Sequence, residues 1–140
     1  MKIYFDTSVL VPLFVTDPFS RRARAFLGAK SPVLIVSDFT CAEFSSVISR
    51  LVRMKELTVT EAQNAFSNFD IWTAKATTRV EMQPSDVRAV EGMLRRLDLT
   101  LRTPDAIGIA ISQRIGVDLA TFDTKMAACA RKLGTAVSAI

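Results

Sequence analysis

Met1–Ser8, MKIYFDTS, is the stretch that decides the fold: a short apolar strand, Ile3–Phe5, runs straight into Asp6, Thr7 and Ser8. A carboxylate at the exit of a buried N-terminal strand is poorly placed for packing. It is well placed for chemistry, because open α/β sheets collect their ligands at the carboxyl ends of their strands. A second strand has the same character. Pro32 opens the unbroken apolar run Val33–Val36, the signature of a strand covered on both faces.

Helical periodicity fills the intervals. Thr7 or Ser8 caps a short helix through Phe14 that Pro12 distorts, and Ser20–Leu27 forms a basic helix closed by Gly28. Cys41–Leu57 carries Cys41, Phe44, Val47, Ile48, Leu51 and Met54 at helical spacing. Thr58 and Glu61 form a capping signal for a helix over Thr60–Ala74. Thr78–Met82 alternates as a strand. Ser85–Leu97 follows as a helix with Val87, Val90, Met93, Leu94 and Leu97 inward, and close packing is the only account of Gly92 within it. Thr103 as N-cap, Pro104 and Asp105 open an apolar helix ending near Gly116. Val117–Phe122 is a strand, Thr124–Leu133 a helix stopped by Gly134, and Thr135–Ile140 a last short strand.

Strands alternating with helices imply an α/β fold, a three-layer α/β/α sandwich with a mostly parallel central sheet. In that layout all strands end on one edge, and the helices that follow them begin there. Asp6 and Asp123 each lie just past a strand. Asp105 starts the helix that leads into Val117–Phe122, and Glu43 falls in the first turn after Val33–Val36. Four acids from four distant segments thus meet by topology. Asp17, Glu61, Asp70, Glu81 and Glu91 fall on loops or faces away from that edge.

The totals bound the rest. The chain has 140 residues and 49% hydrophobic content, which suits one compact domain over 1–140. The net charge of +4 is compatible with a polyanionic partner. There is no histidine, so Ser-His-Asp, Cys-His and His-ligated zinc chemistry are excluded. No GxGxxG or GxxxxGK[ST] motif supports nucleotide chemistry. Cys41 and Cys129 read as reduced buried thiols, and no leader or membrane-spanning run is apparent, so a cytoplasmic protein is expected.

Each acid also has an ordinary reading. Asp105 and Asp123 are good helix punctuation, and Glu43 alone is a solvated helix residue. Clustered carboxylates, however, repel one another unless a cation neutralises them. Oxygen-only ligation suits Mg²⁺, or Mn²⁺, rather than zinc. Ser8 and Thr121 are placed to hold those ligands or a bound water, although a structural role is the stronger reading for each.

At these residues the chain resembles the PIN-domain ribonucleases, and more closely the toxin subunits of VapBC-type bacterial toxin–antitoxin pairs. The matching pieces are IYFDTSVLV, SDFTCAEF around Glu43, RTPDAIGIAISQRIG around Asp105 and LATFDTKMAACARKLG around Asp123. No single piece is specific; the set, in order and across nearly the whole chain, is. The resemblance implies Mg²⁺- or Mn²⁺-dependent endoribonuclease activity, with the acidic quartet on Asp6, Glu43, Asp105 and Asp123. It implies a homodimer and an antitoxin that wraps the toxin. Gly108 stands where family members often carry a bulkier or polar residue, and Pro12 interrupts the first helix.

Hydrolysis by this route leaves a 5′-phosphate and a 3′-hydroxyl, with Asp123 or Glu43 orienting the water. Arg21, Arg22, Arg24, Arg50, Arg53 and Arg102 are candidates to hold the RNA backbone. Phe19, Phe26, Leu51 and Met54 are candidates to receive an antitoxin helix, with core packing the stronger reading for Phe26 and Leu51. Two other classes stay open: a catalytically silent PIN-like binding module, and a Mg²⁺-dependent phosphohydrolase acting on small phosphoesters.

Overall fold

Ile3 and Phe5 point to one side of the first strand and Tyr4 to the other, and all three are buried, so helices must cover both sides. A computed structural model describes residues 1–140 apart from the side chain of Lys30. The order is β1 (Lys2–Phe5), α1 (Thr7–Phe14), α2 (Ser20–Lys30), β2 (Val33–Ser37), α3 (Asp38–Arg53) and α4 (Val59–Ala76). Then come β3 (Thr77–Val80), α5 (Pro84–Leu94), α6 (Thr103–Ile115), β4 (Asp118–Ala120) and α7 (Thr124–Lys132). The strands form one sheet in the order β3-β2-β1-β4, and every pairing is parallel.

Two cores follow from the pleat. Ile3, Phe5, Leu34, Val36 and Ala120 pack beneath α1–α4. Tyr4, Ile35 and Leu119 pack beneath α5–α7. This is the α/β/α sandwich the sequence implies. On the first face Phe44 stacks on Phe69 with ring centroids 3.9 Å apart, and Phe14 sits edge-on to both. Burying Phe44 and Phe69 contributes roughly 1.5–3 kcal/mol each. On the second face a Cβ at Gly108 would lie 3.1 Å from Met126 Cε of α7 and 3.6 Å from Tyr4 Cε1, so only the end of the Met126 side chain would have to give.

The chain steps from β1 to β2 to β3 in one direction, then returns across the sheet to place β4 on the other side of β1. The connections therefore reverse at β1, and the crevice outside its carboxyl end is where an open sheet binds ligands. Asp6 is the first residue past that end.

Several elements differ from the sequence reading, each for a local reason. α1 runs unbroken through Pro12, whose ring removes only one hydrogen bond of an eight-residue helix. α2 continues past Gly28, and the left-handed cap is Ser31 at φ 39°, where the chain must turn into β2. α3 starts at Asp38 and ends at Arg53, because Ser37 caps its N-terminus and Lys55 adopts φ 59°. Glu43 is accordingly in the second turn, not the first. α5 ends at Leu94. Its inward face is Asp86, Val90 and Met93, so Val87 is 49% exposed and Leu97, past the helix, is 95% exposed. Asp86 takes the inward place because Arg114 of α6 neutralises it there (Nε–Oδ1 2.8 Å). Gly92 has no neighbour within 4 Å of a Cβ, so close packing does not explain it. Thr135–Ile140 makes only a single parallel bridge, Leu119 to Val137, rather than a strand.

Candidate active site

Asp6 ends β1 and caps α1 at once. Its backbone N–H donates to the Ala120 carbonyl of β4 (3.0 Å), and its Oδ2 accepts from the Ser8 N–H (3.2 Å). The same Oδ2 accepts from Thr121 Oγ1 (3.0 Å). A hydroxyl has one proton, so with Thr121 donating to Asp6, Ser8 Oγ must be the donor in the 3.2 Å Ser8–Thr121 bond. Ser8 Oγ in turn accepts from the Phe122 N–H (2.9 Å), and Thr121 Oγ1 accepts from the Asp123 N–H (3.0 Å). Ser8 and Thr121 thus tie the two strand ends together and orient Asp6.

The other three acids are held by equally local means. Asp123 caps α7, its Oδ1 accepting from the Lys125 and Met126 N–H groups (2.9 Å each). Asp105 lies in the first turn of α6, where Arg102, not Thr103, is the N-cap residue, and Arg102 Nε approaches its Oδ2 at 3.4 Å. Glu43 Oε1 accepts from Thr7 Oγ1 (3.1 Å). The four share one pattern: each carboxylate is held through a single oxygen. Asp6 Oδ1, Glu43 Oε2, Asp105 Oδ1 and Asp123 Oδ2 have no hydrogen-bond partner among the described residues, and none of them is sealed from solvent.

All four acids line one cleft of about 550 Å³. Burial, and then Asp6 and Asp105, push the Glu43 carboxyl up to about 7. Asp105 is raised as well, by burial first; Arg102 opposes the rise, while Asp123 and Asp6 add to it. Beneath the cleft the Tyr4 hydroxyl, raised by burial, bonds Ser37 Oγ (2.7 Å) and Thr40 Oγ1 (2.6 Å).

A divalent cation suits this donor set. The available atoms are carboxylate oxygens, the preference of Mg²⁺ and Mn²⁺. Among the described residues no three acids already close on a common point. Mg²⁺ does not ask for that, since it keeps several waters and binds through one or two carboxylates. The mutual repulsion that adds to the effect of burial on Glu43 and Asp105 is what such an ion would relieve.

Of the expected cationic residues, Arg50 and Arg102 line the cleft; Arg21 and Arg24 do not. Arg22 is engaged with the Ile140 carbonyl (2.6 Å) and lies over the Phe122 ring, and Arg53 bonds Ser49. Sequence reasoning missed Thr7 and Phe39, and it set Asp17 aside as a remote loop acid. Asp17 does line the cleft, with Oδ1 accepting from the Phe19 N–H (2.7 Å); the Asp-Pro pair was the available sign of such a turn. Lys125 borders Asp105 and Asp123 in an adjoining recess. The expected apolar patch is divided. Phe26 is in the core, Phe19 lines the acidic cleft, Met54 is exposed, and Leu51 lines a neighbouring groove of about 650 Å³ with Val11, Phe14 and Ala65.

The profile described as PIN domain matches residues 3–132. The chain is 31% identical over 140 residues to Ribonuclease VapC46 of Mycobacterium tuberculosis, covering 98% of this chain and 96% of that one. Its fold is similar to that of Mycobacterium tuberculosis VapC20, described as a sarcin-ricin loop cleaving toxin (TM-score 0.72, 21% identity, 90% and 93% of the two chains). It is similar too to a chain of VapBC2 from Rickettsia felis, solved bound to a DNA fragment from its promoter (TM-score 0.71, 17% identity, 99% and 98%). No described helix is long and apolar enough to cross a membrane.

Proposed function

The chain belongs to the PIN-domain family and to its VapC type, and on that premise we propose that it is a Mg²⁺- or Mn²⁺-dependent endoribonuclease, the toxin of a toxin–antitoxin pair. The observation that carries this reading is the set of four carboxylates in one cleft, each fixed through one oxygen with the other left free. The curated relative is named a ribonuclease, which supports the choice of RNA.

Asp6, Glu43, Asp105 and Asp123 are the residues that would hold the cation. When bound, the cation stabilises charge on the attacking and leaving oxygens and makes a water a stronger nucleophile at neutral pH. The chain's own part is orientation. The Ser8–Thr121 relay fixes Asp6, and the α7 amides fix Asp123. Glu43 or Asp123, both in the cleft, orients the attacking water. Arg50 and Arg102 at the cleft hold the flanking phosphates, and Arg21 and Arg24, exposed on α2 outside the cleft, are offered to more distant ones. The products carry a 5′-phosphate and a 3′-hydroxyl.

An antitoxin helix docks in the groove floored by Val11, Phe14 and Leu51, which shares Arg50 and Val47 with the acidic cleft. A cationic side chain from that partner reaches the acids. We place the protein in the cytoplasm, as a homodimer.

The test is cleavage of a structured RNA pool by purified, antitoxin-free protein with Mg²⁺, Mn²⁺ or EDTA, beside Asp6→Asn. Defined cuts that need metal and vanish in the variant are expected. Identical patterns from wild type and Asp6→Asn would mean that the acids do not act on RNA.

A further inference from the structure

Phe19 is 40% exposed and belongs to neither hydrophobic core, yet it lines the same cleft as the four acids. Its contact with Phe122 still leaves part of it open to that cleft. We propose that Phe19 is the base-stacking residue of this cleft, receiving on its ring an unpaired RNA base next to the phosphate that is cut. The proposal rests on the nuclease reading and adds to it how an RNA strand is positioned.

The ring is held in place before any RNA arrives. It stacks on Phe122, with centroids 4.8 Å apart and planes inclined by 28°. Phe122 is itself anchored, its N–H donating to Ser8 Oγ in the relay that orients Asp6. The Phe19 N–H is bonded to Asp17 Oδ1 at 2.7 Å. Arg22 lies over both rings, 5.0 Å from the Phe122 centroid and 5.9 Å from that of Phe19. An aromatic platform fixed in this way loses little freedom when a base lands on it. It is also coupled to Asp6 through a short chain of bonds, so a stacked base is placed relative to the acids.

Chemistry favours RNA over an apolar protein helix at this point. The cleft around Phe19 mixes the acids, Arg50 and Arg102 with the apolar side chains of Val11, Pro12, Phe39 and Val47. A ring set among acids and cations suits single-stranded nucleic acid, whose bases stack on aromatics while its phosphates meet cations. An amphipathic helix asks instead for a continuous apolar strip.

Phe19→Leu keeps an apolar contact with Phe122 and removes the ring; Phe19→Trp keeps a ring. Both are compared with wild type and Asp6→Asn on a short single-stranded RNA whose cut site has been mapped. KM and kcat are measured with Mg²⁺. Quenching of 2-aminopurine beside the cut site is measured with Ca²⁺ in its place. Phe19→Leu is expected to raise KM by about tenfold with kcat little changed and to lose quenching, while Phe19→Trp keeps both. Equal KM and quenching in Phe19→Leu and wild type, with cutting still dependent on Asp6, would overturn the stacking assignment alone. Loss of affinity for an antitoxin peptide without loss for RNA would overturn it in favour of a protein-docking surface. If wild type cuts no better than Asp6→Asn, the nuclease reading falls and takes this assignment with it.

Discussion

Each of the four cleft acids has ordinary work as well as a proposed chemical role, and the two are divided between its two oxygens. Asp123 caps a helix with Oδ1, and Asp6 caps another with Oδ2. The plain helix-cap reading is therefore right for one oxygen and silent about the other. Glu43 shows what the arrangement costs. Burial and the neighbouring acids raise its carboxyl from 4.5 to about 7. Between those two values the folded state keeps a proton that the unfolded chain releases, so stability falls as pH rises through that window. Glu43→Gln removes the effect. In metal-free buffer the variant should melt with wild type near about pH 4 and above it near about pH 8. Thermal denaturation followed by circular dichroism across that range checks this; equal melting temperatures at both ends would remove Glu43 from the strained cluster.

At the scale of elements, ion pairing and capping decide where helices face and stop. The Thr58–Glu61 capping box, expected from the sequence, starts α4 at Val59 rather than Thr60, its two bonds both 3.1 Å. In α5 a charge overrides the apolar pattern. Asp86, 2% exposed, accepts from Arg114 Nε (2.8 Å), Arg114 Nη2 (3.0 Å) and the Gln83 N–H (2.8 Å). Arg114 also donates to the Glu81 carbonyl (2.9 Å), locking α5 and its entry loop to α6, the helix that carries Asp105. Arg114→Leu strands a buried carboxylate and should cost about 3 kcal/mol. Urea denaturation should show a lower midpoint with an unchanged slope, and a loss within error of zero would mean that Asp86 finds other neutralisation.

At the scale of the whole molecule, the parallel sheet gathers like charge at one edge, and a bound cation should stabilise the fold. A ligand that binds only the folded state adds about 2.7 kcal/mol at a hundredfold excess over its dissociation constant. Saturating Mg²⁺ should therefore raise the melting temperature of wild type, and Asp105→Asn should lose most of that rise. Differential scanning fluorimetry with and without EDTA measures it. An equal rise in both proteins would place the ion elsewhere.

The sequence by itself determined the parallel α/β architecture, because Ile3–Phe5 and Val33–Val36 are too uniformly apolar for any strand not covered twice. It also determined that Asp6, Glu43, Asp105 and Asp123 would meet, since parallel strands all end on one edge and each acid follows or precedes such an end. Helix phase and termination were decided only in three dimensions. Asp86 turns inward because of a partner 28 residues away, and Val87 turns outward as a consequence. Asp17 reaches the cleft because a turn folds it there, and Phe19 becomes a cleft wall because Phe122, distant in the chain, lies beneath its ring. Local pattern encodes the period of an element and the end of the sheet it starts from. Which of its polar or aromatic residues face one another depends on contacts between segments far apart in the chain, which no local period records.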